Sequence, residues 1–208
     1  MLNMPNIIEC EMDKPLESDV LARVIELLRN GELIVYPAFT LYGLGASIRS
    51  EAGLKRLLDV KQRPPYMPFS IMATEDDTRE LVEVPEAAEP FFGLNDTSIT
   101  AVFKGLETTS ADILYKGTLA VRLPCSALCR SIVEAAGPIT TTSANVHGKG
   151  APLVVQEAVE QLGDAVNLYI DGGEMTGTHT TLVDFSSSEL NILREGTVSK
   201  AEVLARYG

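Results

Sequence analysis

Short apolar runs of strand length alternate with amphipathic helical segments along the chain, and this alternation is the strongest constraint on the fold. Runs such as "ELIVYP" (32–37) and "GTLAVRLP" (117–124) have the length and apolar content of buried strands. Segments such as 18–31 instead carry apolar residues three and four positions apart, which is the period of a helix with one buried face. Interleaved strands and helices predict an α/β fold with a twisted sheet flanked by helices.

The last two apolar runs indicate that this sheet is not purely parallel. "TTLVDF" (180–185) and "NILRE" (191–195) predict a closing hairpin, whose two strands are antiparallel. The starts of the first and last helices are also predicted, because Ser18 and Ser199 stand where their N-terminal caps are needed. The expected architecture is therefore a single domain with a mixed parallel and antiparallel sheet.

Charge and cysteine content limit the class of protein. A net charge of −12 opposes non-specific binding to a polyanion, so an anionic ligand would need a local cluster of the few lysines and arginines. The chain lacks the run of about 18 apolar residues that a transmembrane helix needs, and its N-terminus does not resemble a signal peptide. Three cysteines, of which Cys125 and Cys129 lie four apart in a predicted helix, show no familiar zinc spacing. We expect reduced thiols with packing roles, no protein-bound metal, no membrane segment and a cytoplasmic location.

Four cationic residues stand where a charge needs an anionic partner. Lys61 lies at the apolar edge of a helix end, and Arg63 and two prolines follow it, which fixes two cations in one place. The pair either complements the helix dipole or forms a phosphate clamp, with the lysine as point charge and the arginine as bidentate fork. Arg122 and Arg194 lie in or after apolar runs, where the alternatives are a structural salt bridge and an anionic ligand.

A run of hydroxyl side chains from Thr141 to Ser143, followed by Asn145, lies at the end of a predicted strand, a common ligand position in α/β folds. Ser143 and Asn145 alternate, so extended backbone would point both side chains to one side. The alternative is a turn in which the asparagine bonds its own backbone. No nucleophile elbow and no pair of carboxylates stands out, so we assign no general acid or base and expect chemistry by positioning and charge stabilisation.

Six segments of the chain occur in the order and approximate spacing of a known family. They are "YPAFTLYGLG", "KQRP", "TLAVRLP", "TTSANVHG", "TTLVD" and "ILREG". On these motifs the chain resembles the YrdC-like family, the threonylcarbamoyl-AMP synthases (L-threonylcarbamoyladenylate synthases). The resemblance covers about residues 15–200 and implies one domain over residues 1–208, with an α/β fold, a twisted mixed sheet and a central cleft.

The resemblance also implies an activity and its ligands. The family condenses L-threonine, bicarbonate and ATP into threonylcarbamoyl-AMP and releases pyrophosphate, which makes its members nucleotidyltransferases, with magnesium carried by the ATP phosphates. The product feeds threonylcarbamoyladenosine formation at position 37 of ANN-decoding tRNAs, where a partner complex performs the transfer. Expected ligands are therefore threonine, bicarbonate and ATP, and an RNA ligand, tRNA or double-stranded RNA, is a further expectation.

Matching motifs assign roles to individual residues by the same resemblance. The expected threonine site contains Thr40, Arg122 near the substrate carboxylate, Ser143 and Thr180. The expected nucleotide site contains Lys61, Arg63, Thr118, Asn145 and Arg194. Pro37 is expected to end its strand at the cleft, Tyr42 to line the cleft, and Gly43 and Gly45 to let the backbone approach the ligand.

The chain departs from the family pattern at several positions. Where the family reads Pro-Thr-Glu/Asp-Thr, this chain has Pro37-Ala38-Phe39-Thr40, so a hydroxyl and a carboxylate are lost. Met67 replaces an asparagine, Leu153 replaces a threonine, and "LNDTS" replaces a Trp-Pro-Gly-Pro stretch. These departures favour an alternative function, a divergent non-catalytic module that binds nucleotide or RNA. A carbamoyl-adenylate enzyme with another acceptor is the third interpretation.

Overall fold

The strands of the described chain, residues 6–62, 68–187 and 189–208 of a computed structural model, form two sheets. The strands are β1 (Ile7–Glu9), β2 (Ile34–Pro37), β3 (Tyr42–Gly45), β4 (Ser70–Met72), β5 (Val82–Glu83), β6 (Ile99–Gly105), β7 (Thr118–Arg122), β8 (Ile139–Thr140), β9 (Thr142–Ser143), β10 (Leu168–Asp171), β11 (Thr181–Asp184) and β12 (Asn191–Arg194). The helices are α1 (Ser18–Arg29), α2 (Glu51–Lys61), α3 (Glu75–Leu81), α4 (Glu89–Gly93), α5 (Ala127–Ala136), α6 (Val155–Leu162) and α7 (Lys200–Tyr207). Strands and helices interleave, which confirms the α/β class.

One sheet has five strands in the order β1-β10-β2-β3-β9. β10 runs parallel to β1 and β2, whereas β3 runs antiparallel to β2 and β9. Alternate residues at β2 face two separate cores: Ile34 and Tyr36 pack with α1 and α5, while Leu33 and Val35 pack with α2 and α6. Because helices cover both faces, β2 reads as an unbroken apolar run, and it ends at Pro37 as predicted.

The other sheet has seven strands in the order β12-β11-β6-β7-β4-β8, with β5 paired to β6. β6 is parallel to β11 and antiparallel to β7, and an aromatic cluster that includes Phe91, Phe103 and Phe185 packs on this sheet. β11 and β12 are antiparallel, which confirms the predicted closing hairpin. Both sheets mix parallel and antiparallel pairs, as the sequence predicted for a single sheet.

The segment 139–143 passes from one sheet to the other. The sequence predicts one strand here, but β8 pairs with β4 in the seven-stranded sheet and β9 pairs with β3 in the five-stranded sheet. The hydroxyl of Thr140 donates to Leu44 O at 2.9 Å and accepts from Ala46 N at 2.9 Å, so it fastens the crossing point to the β3 segment. The expected single sheet is therefore two sheets that meet at this segment.

Residues 42–45, to which the sequence assigned no element, form strand β3, in which Gly43 and Gly45 pair with Tyr36 and Ile34 of β2. One further local prediction was wrong. Ser18 is the first residue of α1 and makes no capping bond, since Glu17 occupies the cap position. The Ser199 cap is confirmed, and Glu202 completes a capping box with it. Among the described helices, none combines the length and apolar character needed to cross a membrane.

Candidate functional site

A cleft of about 400 Å³ opens where the two sheets meet. Its described lining comes from the turn after β2, from the C-terminal end of α2, and from strands of both sheets. The polar lining residues are Thr40, Tyr42, Lys61, Ser70, Thr100, Arg122, Thr141, Thr142, Ser143, Asn145, His147, His179, Thr180 and Arg194. A cleft lined so largely by hydroxyl, amide and cationic groups suits a polar, charged ligand.

The charge of the cleft is opposite to that of the protein. Lys61, Arg122 and Arg194 line it, and none of its described lining residues is an aspartate or a glutamate. The chain as a whole carries a net charge of −12. Three of the four cations selected from the sequence therefore lie together, while Arg63 lies outside the described residues. This segregation of charge creates a local site for an anion.

Arg122 is a buried guanidinium with few protein partners. Its side chain sits at the end of β7 with 5% of the residue exposed. Nη1 donates to Thr40 Oγ1 at 3.3 Å, Nη2 donates to Thr97 O at 3.5 Å, and buried Nε has no partner among the described residues. Neither acceptor is a carboxylate, so the charge is not neutralised by the described protein. A buried arginine in this state favours an anionic ligand, because burial of an unpaired charge is costly.

The turn that carries Thr40 is held in an unusual backbone conformation. Thr40 N donates to Ala38 O at 2.7 Å across Phe39, whose φ is 65°. A left-handed φ is uncommon for a residue with a large side chain and stores strain. The turn is fixed from outside, because Gly177 N donates to Thr40 O and Thr176 N donates to Phe39 O. Thr40 Oγ1 is thereby placed within reach of Arg122.

Lys61 and the Ser143–Asn145 segment form one buried network. Lys61, 2% exposed, donates from Nζ to Ser143 O, to Asn145 O at 2.8 Å and to Asn145 Oδ1 at 3.3 Å. Ser143 Oγ donates to Asn145 Oδ1 at 2.6 Å, so these two side chains share a side, although the backbone between them turns, with Asn145 N donating to Ser143 O, and does not stay extended. Asn145 also donates from Nδ2 to Lys149 O at 2.6 Å. The lysine therefore shapes the backbone of this segment in addition to charging the cleft.

Thr180 and Arg194 build the opposite wall. Thr180 Oγ1 lies 2.7 Å from the hydroxyl of Thr100, and Thr180 O accepts from Arg194 Nη2 at 3.1 Å. Burial, and then the positive charge of Arg194, lower the pKa of His179, so its imidazole is neutral at neutral pH. This wall thus offers hydroxyls, one guanidinium and a neutral imidazole.

The two glycines of β3 have a packing role that the sequence did not indicate. A Cβ at Gly43 would lie 3.1 Å from Tyr36 Cζ, and a Cβ at Gly45 would lie 3.0 Å from Ile34 Cγ1 and 3.1 Å from Tyr36 Cε1. The Tyr36 ring covers both glycines, and its hydroxyl donates to Thr140 O at 3.1 Å. Gly43 does line the cleft, but a side chain there would collide with Tyr36, and a side chain at Gly45 would collide with both Ile34 and Tyr36.

Tyr42 lines the cleft as predicted, but its hydroxyl serves the structure. It lies 2.9 Å from Asp171 Oδ1 and 2.7 Å from Gly173 O, either of which can accept its proton, and it accepts from Gly172 N at 3.1 Å. Burial, together with the nearby Asp171, raises the pKa of this phenol. Tyr42 thus ties the residues after β10 to the cleft.

The structure brings most of the sequence-predicted site residues together. Those that line the cleft are Thr40, Lys61, Arg122, Ser143, Asn145, Thr180 and Arg194. Thr118 lies on the same face of β7 as Ala120 and Arg122 but beyond the described lining, and its hydroxyl donates to Tyr115 O at 2.8 Å. Its nucleotide contact, like that of Arg63, stays a prediction.

Four polar lining residues were missed from the sequence: Ser70, Thr100, His147 and His179. Ser70 and Thr100 are hydroxyl residues within strands, and nothing in the sequence separates them from ordinary strand residues. His147 lies two residues after the predicted Asn145, and His179 directly precedes the predicted Thr180; these positions were the available signals.

A known protein family matches most of the chain. The family model Sua5/YciO/YrdC, described as telomere recombination, matches residues 26–196. The threonylcarbamoyl-AMP synthase of Pyrococcus abyssi is 30% identical over 85% of this chain, which spans 54% of that protein. The threonylcarbamoyl-AMP synthase of Bacillus subtilis is 26% identical over 90% of this chain, which spans 56% of that protein. The chain therefore covers about half the length of these two relatives.

Solved structures agree with the sequence comparison. The crystal structure of P. abyssi Sua5 complexed with L-threonine superposes with a TM-score of 0.89 at 28% identity, over 97% of this chain and 61% of that one. The crystal structure of Escherichia coli YciO superposes with a TM-score of 0.84 at 24% identity, over 94% of this chain and 98% of that one. Because the identity to YciO is only 24%, this similarity shows the fold alone.

Proposed function

Because the chain belongs to the Sua5/YciO/YrdC family, we propose that it is a threonylcarbamoyl-AMP synthase. The proposed reaction joins L-threonine, bicarbonate and ATP to give threonylcarbamoyl-AMP, pyrophosphate and water. Homology to proteins of that name supports an enzyme. The substrates and the role in tRNA modification are our proposal for this chain.

The observation that carries the proposal is the state of Arg122. A buried guanidinium whose Nε has no described partner, in a cleft without described aspartate or glutamate, fits the carboxylate of an amino acid. Thr40 and Thr180 provide hydroxyls on either side of the cleft. A similar fold, that of P. abyssi Sua5, was crystallised with L-threonine.

In the proposed mechanism the amine of threonine attacks the carbon of bicarbonate, a C–N bond forms, and water leaves to give an N-carboxy-threonine. A carboxylate oxygen of this carbamate attacks the α-phosphorus of ATP, a new P–O bond forms, and the bond to pyrophosphate breaks. Lys61 and Arg194 would balance phosphate charge, together with Arg63 as the sequence predicts, and Asn145 and Thr118 would contact the nucleotide. Ser143 would orient the nucleophile, and no side chain is assigned as a general base. The protein thus contributes positioning and charge stabilisation.

Magnesium fits this scheme as part of the substrate. Hard divalent cations prefer carboxylate and phosphate oxygens. The described lining supplies hydroxyls, amides and cations but no carboxylate, so the ATP phosphates would provide the anionic ligands. When bound in this way, the ion would help to neutralise charge on the leaving pyrophosphate.

The altered turn at Ala38 and Phe39 affects substrate capture in this proposal. The described cleft has no carboxylate to pair with the ammonium of free threonine. The nitrogen of the carbamate is neutral, however, so the adenylation step itself needs no such partner. We therefore expect weak capture of free threonine with the adenylation step retained.

The test is pyrophosphate release by the purified protein, with threonine and bicarbonate each omitted in turn. We expect release only when both are present, and incorporation of labelled bicarbonate into an AMP adduct. Absence of release from folded protein that still binds ATP would refute the synthase and support the non-catalytic module. In that case, measurement of tRNA affinity at two salt concentrations would show whether RNA is the ligand, because phosphate contacts weaken steeply with salt.

The fate of the product follows from its chemistry. A mixed carbamic–phosphoric anhydride is an activated acyl donor, so a downstream transferase must consume it. We propose that this acceptor step modifies adenosine 37 of ANN-decoding tRNAs through a separate threonylcarbamoyl-transferase complex. Restoration of this modification in cells that lack their own synthase is the corresponding measurement.

A further inference from the structure

Two thiols lie next to each other behind the cleft, outside the proposed mechanism. Cys125 Sγ donates to Cys129 Sγ at 3.7 Å, and Cys129 Sγ donates to Pro37 O at 3.2 Å. Cys129 is fully buried at the start of α5, whereas Cys125 precedes that helix and is partly exposed. The sequence predicted packing roles, and Cys129 does pack in the core of the five-stranded sheet.

The two thiols connect the two polypeptide segments that hold the amino-acid subsite. Cys125 follows Arg122 by three residues, and Pro37 precedes Thr40 by three residues. Arg122 and Thr40 are themselves joined by a hydrogen bond of 3.3 Å. A change in the bonding of the thiols therefore acts on both sides of the Arg122–Thr40 contact.

We propose that Cys125 and Cys129 are a dithiol that peroxides oxidise, and that its disulfide form loosens the Pro37–Thr40 turn and weakens binding of the amino-acid substrate. The effect on substrate rests on the proposed function, whereas the oxidation and the change in the turn do not.

The oxidation balances with hydrogen peroxide as the oxidant. The Cys125 thiol releases its proton, the thiolate attacks one peroxide oxygen, and the O–O bond breaks. The leaving hydroxide takes up that proton, which gives a sulfenic acid and one molecule of water. The Cys129 thiol then attacks the sulfenic sulfur, an S–S bond forms, and a second water leaves. Two thiols lose two hydrogens in total, and hydrogen peroxide is reduced to two waters. A dithiol reductant reverses the reaction by exchange.

Cys125 is the better nucleophile of the two partly exposed cysteines. When Cys125 is a thiolate, the Cys129 S–H turns from Pro37 O and donates to it; this hydrogen bond, and then the nearby charge of Arg122, lower the pKa of Cys125 despite its burial. At Cys10, burial, Asp171 and Glu17 raise the pKa of the thiol. Because the thiolate is the reactive form, peroxide should attack Cys125 before Cys10.

The structural consequence follows from the second hydrogen bond. The sulfurs must approach from 3.7 Å to the roughly 2.0 Å of a disulfide. Cys129 then has no S–H, so Pro37 O loses its donor at the entrance to the strained turn. The backbone bonds of the turn, Ala38 N to Leu41 O and Thr40 N to Ala38 O, lose this support.

The experiment treats the full chain with hydrogen peroxide and makes three measurements before and after dithiothreitol. Peptide mass spectrometry should find a Cys125–Cys129 disulfide. Hydrogen–deuterium exchange at residues 34–44 should rise on oxidation. The KM for threonine should rise about fivefold, the loss expected when one neutral hydrogen bond is removed from the support of a site.

Two variants complete the design. Cys10→Ser is the matched control, because it removes the other partly exposed thiol and should retain all three responses. Cys125→Ser should lose all three, and Cys125→Ala replaces it if the serine variant does not fold. Oxidation confined to Cys10, or a disulfide without faster exchange at residues 34–44, overturns the proposal. If the reduced protein releases no pyrophosphate, the synthase proposal fails, and the disulfide and exchange measurements still decide the redox proposal.

Discussion

At the residue scale, recognition in the cleft depends on a charge that the described protein leaves uncompensated. Arg122 is buried, its hydrogen-bond acceptors are a hydroxyl and a carbonyl, and its Nε is unpaired among the described residues. Arginine at such a position binds a carboxylate in a forked geometry that lysine does not reproduce. The side chain is therefore expected to act in ligand binding more than in stability.

Substitution Arg122→Met should raise the KM for threonine about ten- to a hundredfold, since a charge-assisted hydrogen bond is worth roughly 1.5–3 kcal/mol. Arg122→Lys should not restore affinity. Steady-state pyrophosphate release measures both variants. Arg130→Met on the exposed side of α5 is the control for loss of one positive charge, and an equal KM change there would contradict the assignment.

The glycines of β3 lead to a prediction about stability. Gly45→Ala places a methyl group about 3.0 Å from Ile34 and 3.1 Å from the buried Tyr36 ring. We expect a loss of about 1–3 kcal/mol in the free energy of unfolding, because the ring is fully buried and its hydroxyl is held by Thr140 O.

Urea denaturation measures this loss. Gly93→Ala is the matched control, since no atom lies within 4 Å of its added Cβ and the residue is helical. This control should be neutral or stabilising by up to about 1 kcal/mol. An unchanged urea midpoint for Gly45→Ala would contradict the inference that packing against Tyr36 excludes a side chain at position 45.

At the element scale, a serine near the start of a helix does not always make a capping hydrogen bond. Ser18 was predicted to cap the first helix, but it makes no capping bond. Ser50, at the start of α2, has an extended backbone and a side chain that accepts from Gly53 N at 3.1 Å. The first helix begins one residue earlier than the sequence suggested, so Ser18 lies inside it.

We predict that Ser50→Ala lowers the free energy of unfolding by about 1 kcal/mol through loss of the cap bond. Ser18→Ala should stay within about 0.5 kcal/mol of the wild type, because no capping bond is lost. Thermal and urea unfolding of the two variants compare them directly, and equal losses would contradict the cap geometry.

At the scale of the whole molecule, the C-terminal helix is fastened beside the cleft by one buried carboxylate. Asp96 Oδ2 accepts from Arg206 Nη1 at 2.6 Å and from Tyr207 O–H at 2.9 Å. The next residue, Thr97, supplies the carbonyl that Arg122 contacts. Asp96 therefore links the position of α7 to that of the candidate site.

This link predicts a dependence of stability on pH. Burial raises the pKa of Asp96, but hydrogen bonds from Ser98, Arg206 and Tyr207 outweigh it and hold the pKa below its ordinary value. A carboxylate with a lowered folded pKa stabilises the fold above the unfolded pKa of about 3.9, and that contribution is lost as pH falls through the folded value. Asp96→Asn should therefore show a smaller fall in unfolding free energy below about pH 4 than the wild type.

Urea denaturation between neutral pH and low pH tests this expectation. Asp13→Asn, at an exposed site, serves as the control for loss of a surface carboxylate. Parallel pH profiles for Asp96→Asn and the wild type would show that Asp96 does not carry the acid sensitivity.

The sequence by itself determined the order of most elements and the identity of most polar groups in the cleft. Strand and helix periods are local properties, so the alternation at 32–37 and 18–31 predicted the α/β class. A charge inside an apolar run is costly wherever the chain goes, which is why Arg122 and Arg194 could be selected before the structure was known. The resemblance to a family added their expected roles.

Only the tertiary structure decided how these groups meet. The split of 139–143 between two sheets, the Tyr36 ring over Gly43 and Gly45, and the contact of Cys129 with Pro37 O all join residues far apart in sequence. No local pattern encodes such contacts, because they depend on packing between elements whose relative positions the period of each element leaves open. The absence of carboxylates from the described cleft lining is also decided by the tertiary structure. The chain has more acidic residues than basic ones, but the fold places none of the acidic ones in that lining.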